Sequence, residues 1–334
     1  MKKSRWGILG TADIARRRLI PALHSSDECE LVAVASRNQE RSAAYAKENR
    51  IPVAYGSYEE LLADSSIEFI YIPLPNHLHF EWTKKAVEAG KHVLCEKPLA
   101  LSIEEVEQLL KLRNQSGKLI GEAYATLHQE RLYGLREILE TKKFGTPSSA
   151  HGVFYLFNDN PHDVRNAYPC EQGGGSLWDI GVYPIVVGRW MLGEEPSEVA
   201  CIMEKESTSQ VDYHTTGLLR FPSGAQMSFA CGMRHPLDTT FTLYTENHRF
   251  VLNETYFSNE KEKYGFEIYG DEGEPLAALF DYPPSDQYRL ECENFARSAK
   301  TGEAFAGSLE NTLQQTKVIL ALFEAAKRGE FVRV

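Results

Sequence analysis

Apolar residues in the first third of the chain gather in short unbroken runs, separated by longer stretches where they recur every three or four positions. The runs at 5–9, 31–35, 69–72, 92–95 and 119–122 read as strands, and that at 31–35 as one buried on both faces, since a strand with one wet face would alternate apolar with polar residues. The stretches between them predict helices at 12–25, 38–49, 58–63, 77–89 and 102–116. Pro73 and Pro75 stop one strand, and Gly90 ends the helix that follows it. Strand and helix taking turns over residues 1–123 predict an α/β domain built on a parallel, doubly wound sheet.

Beyond residue 123 the texture changes. A helix at 132–142 is followed by strand-like stretches around 150–157, 198–203, 215–221, 225–231, 239–245 and 249–252. Phe221-Pro222-Ser223-Gly224 reads as a hairpin turn between two of them. Helices at 287–299 and 308–327 close the chain, the second with Leu309, Leu313, Leu320 and Phe323 along one side. Residues 124–334 are therefore expected to form an α+β domain on a large, mainly antiparallel open sheet.

Charge narrows the choice of partner. With Lys+Arg 36 against Asp+Glu 47 and a formal net charge of -11, the chain suits neither nucleic acid nor an anionic membrane, and a small molecule is the expected ligand. The cysteines stand singly, with no C-x-x-C pair, which fits a reducing cytoplasm. Asn76-His77-Leu78-His79 holds a close histidine pair without a third ligand nearby, so no metal site is expected. No apolar run reaches the length of a membrane span.

Candidate chemistry sits at the ends of the predicted strands. Gly7-Ile8-Leu9-Gly10-Thr11-Ala12-Asp13-Ile14-Ala15 aligns Gly10, Ala12 and Ala15 with the glycines of a G-x-G-x-x-G fingerprint. Small residues there let backbone amides approach a pyrophosphate, whose charge a helix start stabilises. At the end of the second strand, where an NAD-preferring site carries an acid for the adenine ribose, the chain reads Ser36-Arg37-Asn38 with Arg41 a turn further on. Ser36 and Arg37 suit a ribose 2′-phosphate, so NADP(H) is expected over NAD(H).

Glu96-Lys97-Pro98 ends the run at 92–95 and delivers a cation to the carboxyl edge, where open α/β sheets bind ligands. An ammonium there can exchange a proton with a substrate oxygen. These residues by themselves suit a surface lysine in a tight turn equally well. Gly173-Gly174-Gly175-Ser176 leads into a predicted helix with Ser176 as its N-cap and with Asp179 and Tyr183 on one face. A phenol beside a lysine can donate or accept a proton, although the pair also reads as a packing tyrosine and a first-turn aspartate.

Taken together, Trp6-Gly7-Ile8-Leu9-Gly10-Thr11-Ala12, the run from Ala89 through Glu96-Lys97-Pro98-Leu99, Gly121-Glu122-Ala123, and Gly173 through Tyr183 resemble the Gfo/Idh/MocA oxidoreductases, named for glucose-fructose oxidoreductase and inositol dehydrogenase. The tyrosine at 183 and the run Tyr55-Gly56-Ser57-Tyr58-Glu59-Glu60-Leu61 are similar to the branch that holds dihydrodiol dehydrogenase, xylose dehydrogenase and glucose-fructose oxidoreductase. The resemblance implies a Rossmann domain and an α+β domain whose open sheet makes a homo-oligomer contact. It implies Lys97 as catalytic lysine, Tyr183 as its partner in proton transfer and Asp179 as supporting acid. Gly10, Thr11, Ala12, Ile14, Ser36, Arg37, Arg41, Leu74, Asn76, His79, Glu96 and Lys97 would line the cofactor, and Arg165 would join Lys97, Asp179 and Tyr183 at the substrate. Leu127 stands about where many relatives carry an arginine, so no particular sugar can be carried over.

The expected reaction is reversible hydride transfer between NADP(H) and a sugar, polyol or cyclic diol. The alternatives are a non-catalytic NADP-binding regulator of the same fold and a dinucleotide-dependent glycosidase. The cofactor reading is checked by kcat/KM for NADP and NAD before and after Arg37→Asp. NADP is expected to be favoured at first and to lose about tenfold or more of that advantage in the variant.

Overall fold

A computed structural model describes residues 2–334 except 161, 208, 259, 263 and 277–279. The chain begins with β1 (Ser4–Leu9), one turn of π-helix, α1 (Ile20–Ser25), β2 (Cys29–Ala35), α2 (Gln39–Glu48), β3 (Val53–Tyr55), α3 (Tyr58–Ala63) and β4 (Phe69–Ile72). There follow α4 (His79–Glu88), β5 (His92–Glu96), α5 (Ile103–Ser116), β6 (Ile120–Ala123) and α6 (Glu130–Glu140). Next come β7 (Ser149–Phe157), α7 (Val164–Ala167), α8 (Val182–Leu192), β8 (Glu198–Lys205), β9 (Asp212–Arg220), β10 (Gln226–Gly232) and β11 (Arg234–Asp238). The chain closes with β12 (Phe241–Tyr244), β13 (Arg249–Leu252), β14 (Tyr264–Tyr269), β15 (Phe280–Tyr282), α9 (Gln287–Thr301), α10 (Leu309–Arg328) and β16 (Val332–Arg333).

These elements form two compact units, each discontinuous in sequence. The first joins the chain up to Ala125 with Asp286–Leu313. Its parallel sheet has the order β3-β2-β1-β4-β5-β6, the doubly wound arrangement expected from the alternation. Successive residues of β4 enter opposite cores: Phe69 and Tyr71 pack with Trp6 and Ile8, while Ile70 and Ile72 pack with Leu9 and Val93. The order reverses between β1 and β4, so their carboxyl ends open the crevice in which such sheets bind ligands.

Division by pattern leaves residues 286–313 with the second domain, but the chain returns them to the first. Because α1 is short, that face of the sheet needs further apolar cover, which α9 supplies with Cys292, Phe295 and Ala296. The Phe295 ring lies 5.9 Å from Trp6, 6.2 Å from Phe69 and 5.1 Å from Phe305. Pattern also missed β3, a short edge strand whose residues are only partly covered.

The second unit joins Thr126–Ser285 with Gln314–Val334. Its ten-stranded sheet runs β15-β14-β13-β12-β7-β10-β9-β8-β16, with β11 beside β7. Among the described strands of this sheet only β7 and β10 pair in parallel; its other pairs are antiparallel. One face is covered and one is open, so Thr215, Gly217 and Leu219 of β9 are buried while Thr216 and Leu218 are exposed. The covered face carries α8, and Gly152 of β7 leaves room for Pro184, which would lie 2.7 Å from a Cβ. Among the described residues no helix is long and apolar enough to cross a membrane.

Gly121 marks where the returning segment closes on β6, since a Cβ there would lie 2.7 Å from the Phe305 ring and 2.8 Å from the Phe295 ring. Both rings are buried. Gly121→Ala is expected to lower stability by about 1–3 kcal/mol, measured by urea unfolding.

Candidate active site

At the first helix start, Gly10 has φ +107°, and a Cβ there would lie 2.9 Å from Leu74. Only glycine meets both conditions without strain. Its amide donates to Ala35 at the end of β2 (2.8 Å), while Tyr45 donates to the Ala12 carbonyl (2.9 Å). Ile14 precedes the π turn. Arg41 Nε donates to Thr11 Oγ1 at 2.7 Å, which brings a fingerprint residue and a cation from α2 together. Ser36 is buried at the end of β2 and Arg37 is exposed beside it. Burial raises the Tyr58 phenol pKa, and the charges of Arg37 and Arg41 both oppose that rise, so both guanidinium groups lie near one ring.

The turn carrying Lys97 is held from several sides. Ahead of it, Tyr71 donates to Glu96, whose other oxygen accepts the Lys97 amide at 3.3 Å. Behind it, the Lys97–Pro98 peptide is cis, and the Pro98 carbonyl lies 2.7 Å from His79 Nδ1. His79 Nε2 lies 2.6 Å from the Leu74 carbonyl, so the imidazole stands between the loops after β4 and β5, and in its neutral form its single N–H donates to one of the two carbonyls. That ring is fully buried, and burial pulls its pKa down to about 4 although the two carbonyls push it up. Asn76 opens a short 3-10 turn on the first of these loops. One residue past Pro98, the Leu99 amide donates to buried Glu122 at 3.0 Å, and Thr312 donates to the second Glu122 oxygen at 2.8 Å.

Arg165, Asp179 and Tyr183 belong to the second unit, Lys97 to the first. The three glycines each meet a different demand. Gly173 and Gly175 have φ +82° and +101°, and a Cβ on Gly174 would collide with the Tyr168 carbonyl. A Cβ on Gly175 would also strike Asp212, the carboxylate that organises the segment. Ser176 is helical itself, contrary to its expected part as N-cap, and its hydroxyl donates to Asp212 at 2.7 Å. The Leu177 amide (2.8 Å) and the Thr215 hydroxyl (3.1 Å) complete the set. Burial raises the Asp212 pKa, and these donors hold it down less strongly.

From that start, one π turn at Leu177–Gly181 carries Asp179 and α8 carries Tyr183. Asp179 pairs with Arg165, Oδ2 to Nε at 2.7 Å. Asp163 meets the same guanidinium at 3.3 Å. Asp179 is the largest influence raising the Arg165 pKa, and Tyr183 is a smaller one, so all of these groups share one neighbourhood. The Tyr183 ring rests 5.3 Å from Phe154 and 5.7 Å from Tyr256, which stack on each other at 5.0 Å. Leu127 is buried.

The sequence reading assigned no role to Asp163, Asp212, Glu122 or Tyr71, although Glu122 stood in one of the stretches that carry the family resemblance. Only Glu122 carried a signal, a carboxylate in a buried strand. Among the described residues no group of three or more His, Cys, Asp or Glu could hold a metal ion.

A doubly wound dinucleotide-binding unit followed by a large one-faced sheet defines the class as an oxidoreductase with an NAD-binding Rossmann fold, and the family models agree. Residues 4–124 match the oxidoreductase family with NAD-binding Rossmann fold, and residues 134–274 match the GFO/IDH/MocA C-terminal domain. The chain belongs to the Gfo/Idh/MocA oxidoreductase family. It is 33% identical to D-xylose 1-dehydrogenase (NADP(+)) 2 of Haloferax volcanii over 98% of this chain and 99% of that protein. It is 31% identical to trans-1,2-dihydrobenzene-1,2-diol dehydrogenase of Bos taurus over 72% of this chain and 71% of that one. The structure is similar to KijD10, a 3-ketoreductase from Actinomadura kijaniata crystallised with NADP and TDP-benzene, with TM-score 0.88 and 29% identity over 97% of this chain and 98% of that one.

Asp212→Ala removes the acceptor that the Ser176 hydroxyl and the Leu177 amide share. Stability is expected to fall by about 2–3 kcal/mol in urea unfolding, with kcat falling as the segment that leads to Tyr183 loosens.

Proposed function

We propose that this protein is an NADP-dependent dehydrogenase or reductase that interconverts an alcohol and a carbonyl on a sugar, polyol or cyclic diol. The first unit fits the cofactor. The side-chain-free face of Gly10 and the amides around Thr11, Ala12 and Ile14 suit a pyrophosphate. Arg37, Arg41 and Ser36 suit a 2′-phosphate, while Leu74, Asn76 and Glu96 border the carboxyl edge. When bound, NADP(H) supplies the hydride donor or acceptor.

Lys97 stabilises alkoxide character on the reacting oxygen, and Tyr183 takes or returns its proton. His79 and Glu122 are positioning residues that keep the Lys97 turn in one conformation. Asp179 holds the Arg165 guanidinium, which orients substrate hydroxyls. The observation that supports this reading most is the turn of Lys97, tied through Glu96, Pro98 and Leu99 to three buried side chains. A turn so held suits chemistry that needs one fixed ammonium. The xylose and dihydrodiol dehydrogenases among its relatives, and the NADP complex of the similar ketoreductase, point the same way. The open sheet face of the second unit, with Ile202 and Leu218 exposed, suits a homo-oligomer contact.

The test is a screen of NADPH oxidation and NADP reduction over aldoses, osones, polyols and dihydrodiols, repeated with Lys97→Met and Tyr183→Phe. Each substitution is expected to lower kcat by about a hundredfold or more while NADPH binding, followed by fluorescence, persists. A regulator would bind NADPH and turn over none of the compounds. A glycosidase would cleave glycosides without net use of cofactor.

A further inference from the structure

Glu291 is a buried carboxyl in the first unit that the proposed chemistry leaves unused. It lies on α9, only 1% exposed, and among the described residues its Oε1 has no hydrogen-bond partner. Helix α9 covers the face of the parallel sheet that holds Tyr71 and Leu94, and Cys292, next to Glu291, packs in the same core. Side chains alternate along a strand, so Glu96, two residues past Leu94, points to that face as well. The charge of Glu96 acts on Glu291, and that of Glu291 acts on Tyr71, so the three form one cluster.

Hydrogen bonding divides the two carboxyls. Glu96 accepts from the Tyr71 hydroxyl and from the Lys97 amide at 3.3 Å, donors that favour its ionised form. Glu291 Oε1 receives no such donor, and a buried charge left uncompensated is costly, so the neutral acid is the stable form there. Burial first, then the charges of Glu96 and Asp286, push its pKa well above the usual carboxylate range. The other titratable groups around it are Tyr71 of β4 and Asp286, Tyr288 and Cys292 of α9, with the Arg18 guanidinium 5.9 Å over the Tyr288 ring.

We infer that Glu291 is a positioning residue for the Lys97 turn: it holds a proton, so that Glu96 alone of the two is charged and binds the Tyr71 hydroxyl and the Lys97 amide. The inference rests on the role proposed above for Lys97. Loss of the Glu291 proton sets a second negative charge beside Glu96, and their repulsion loosens the turn. The folded chain binds this proton more tightly than the unfolded one. Its contribution to stability is therefore complete below the usual carboxylate range and is lost as pH rises through the raised value.

The experiment compares NADP-loaded wild type, Glu291→Gln and Glu96→Gln from about pH 6 to about pH 10. Infrared spectroscopy reads the protonated carboxyl, hydrogen exchange corrected for its intrinsic rate reads the Lys97 and Leu99 amides, and kcat is followed in the screen above. Wild type is expected to show a protonated-carboxyl band at neutral pH that Glu291→Gln lacks. As the band titrates, exchange at both amides is expected to quicken by about tenfold and kcat to fall by about tenfold, whereas Glu291→Gln holds both steady to higher pH. Glu96→Gln is expected to keep the band and move its titration to lower pH. A wild type without the band overturns the inference, as does a Glu291→Gln variant whose amide exchange matches wild type across the range. If band and exchange behave as expected while no compound is turned over, the held proton and its effect on the turn stand and the proposed reaction fails.

Discussion

The turn after β5 depends on groups that lie far from it in sequence. Glu122 accepts the Leu99 amide and the Thr312 hydroxyl, and His79 bridges the Pro98 and Leu74 carbonyls. A lysine at the end of a strand is ordinarily free to swing. Here the backbone on both sides of Lys97 is committed to buried partners, so loss of a partner leaves a polar group unsatisfied where water cannot replace it. Rigidity at the sheet's carboxyl edge is thus a property of the first unit's core.

A second carboxylate plays the matching part in the other unit. Asp212 gathers the Ser176 hydroxyl and the Leu177 amide, and glycine at 175 is required because any side chain would occupy the space that carboxylate fills. The segment so anchored brings Asp179 to Arg165, and α8 then sets Tyr183 against Phe154 and Tyr256. In both units a buried acid organises backbone next to a half-buried candidate group, Lys97 in one and Tyr183 in the other. Burial makes Asp212 costly to ionise, and its convergent donors offset only part of that cost.

Much of this was legible before any coordinates. Strand β4 announced itself because its four residues are apolar without interruption and all are buried, and β5 through its buried centre of Val93, Leu94 and Cys95. Edge strand β3, partly covered, left no such trace. The triple glycine was visible, whereas its cause was not, since Asp212 lies far along the chain from the glycines it constrains. Ser176 looked like a cap because local sequence offers capping residues first. The tertiary carboxylate won the hydroxyl, and the segment starts with a π turn instead.

The chain by itself determined the class of fold, the glycine at the first helix start, the basic corner of Ser36, Arg37 and Arg41, and the candidacy of Lys97, Asp179 and Tyr183. These follow from local spacing and from residue chemistry, which a linear string preserves. Tertiary structure alone decided that Asp286–Leu313 completes the first unit, that Glu122 and His79 hold the Lys97 turn, and that Asp163 and Asp179 share Arg165. Such pairings arise where buried polar groups seek partners across the fold, and spacing along the chain carries no record of which partner is reached.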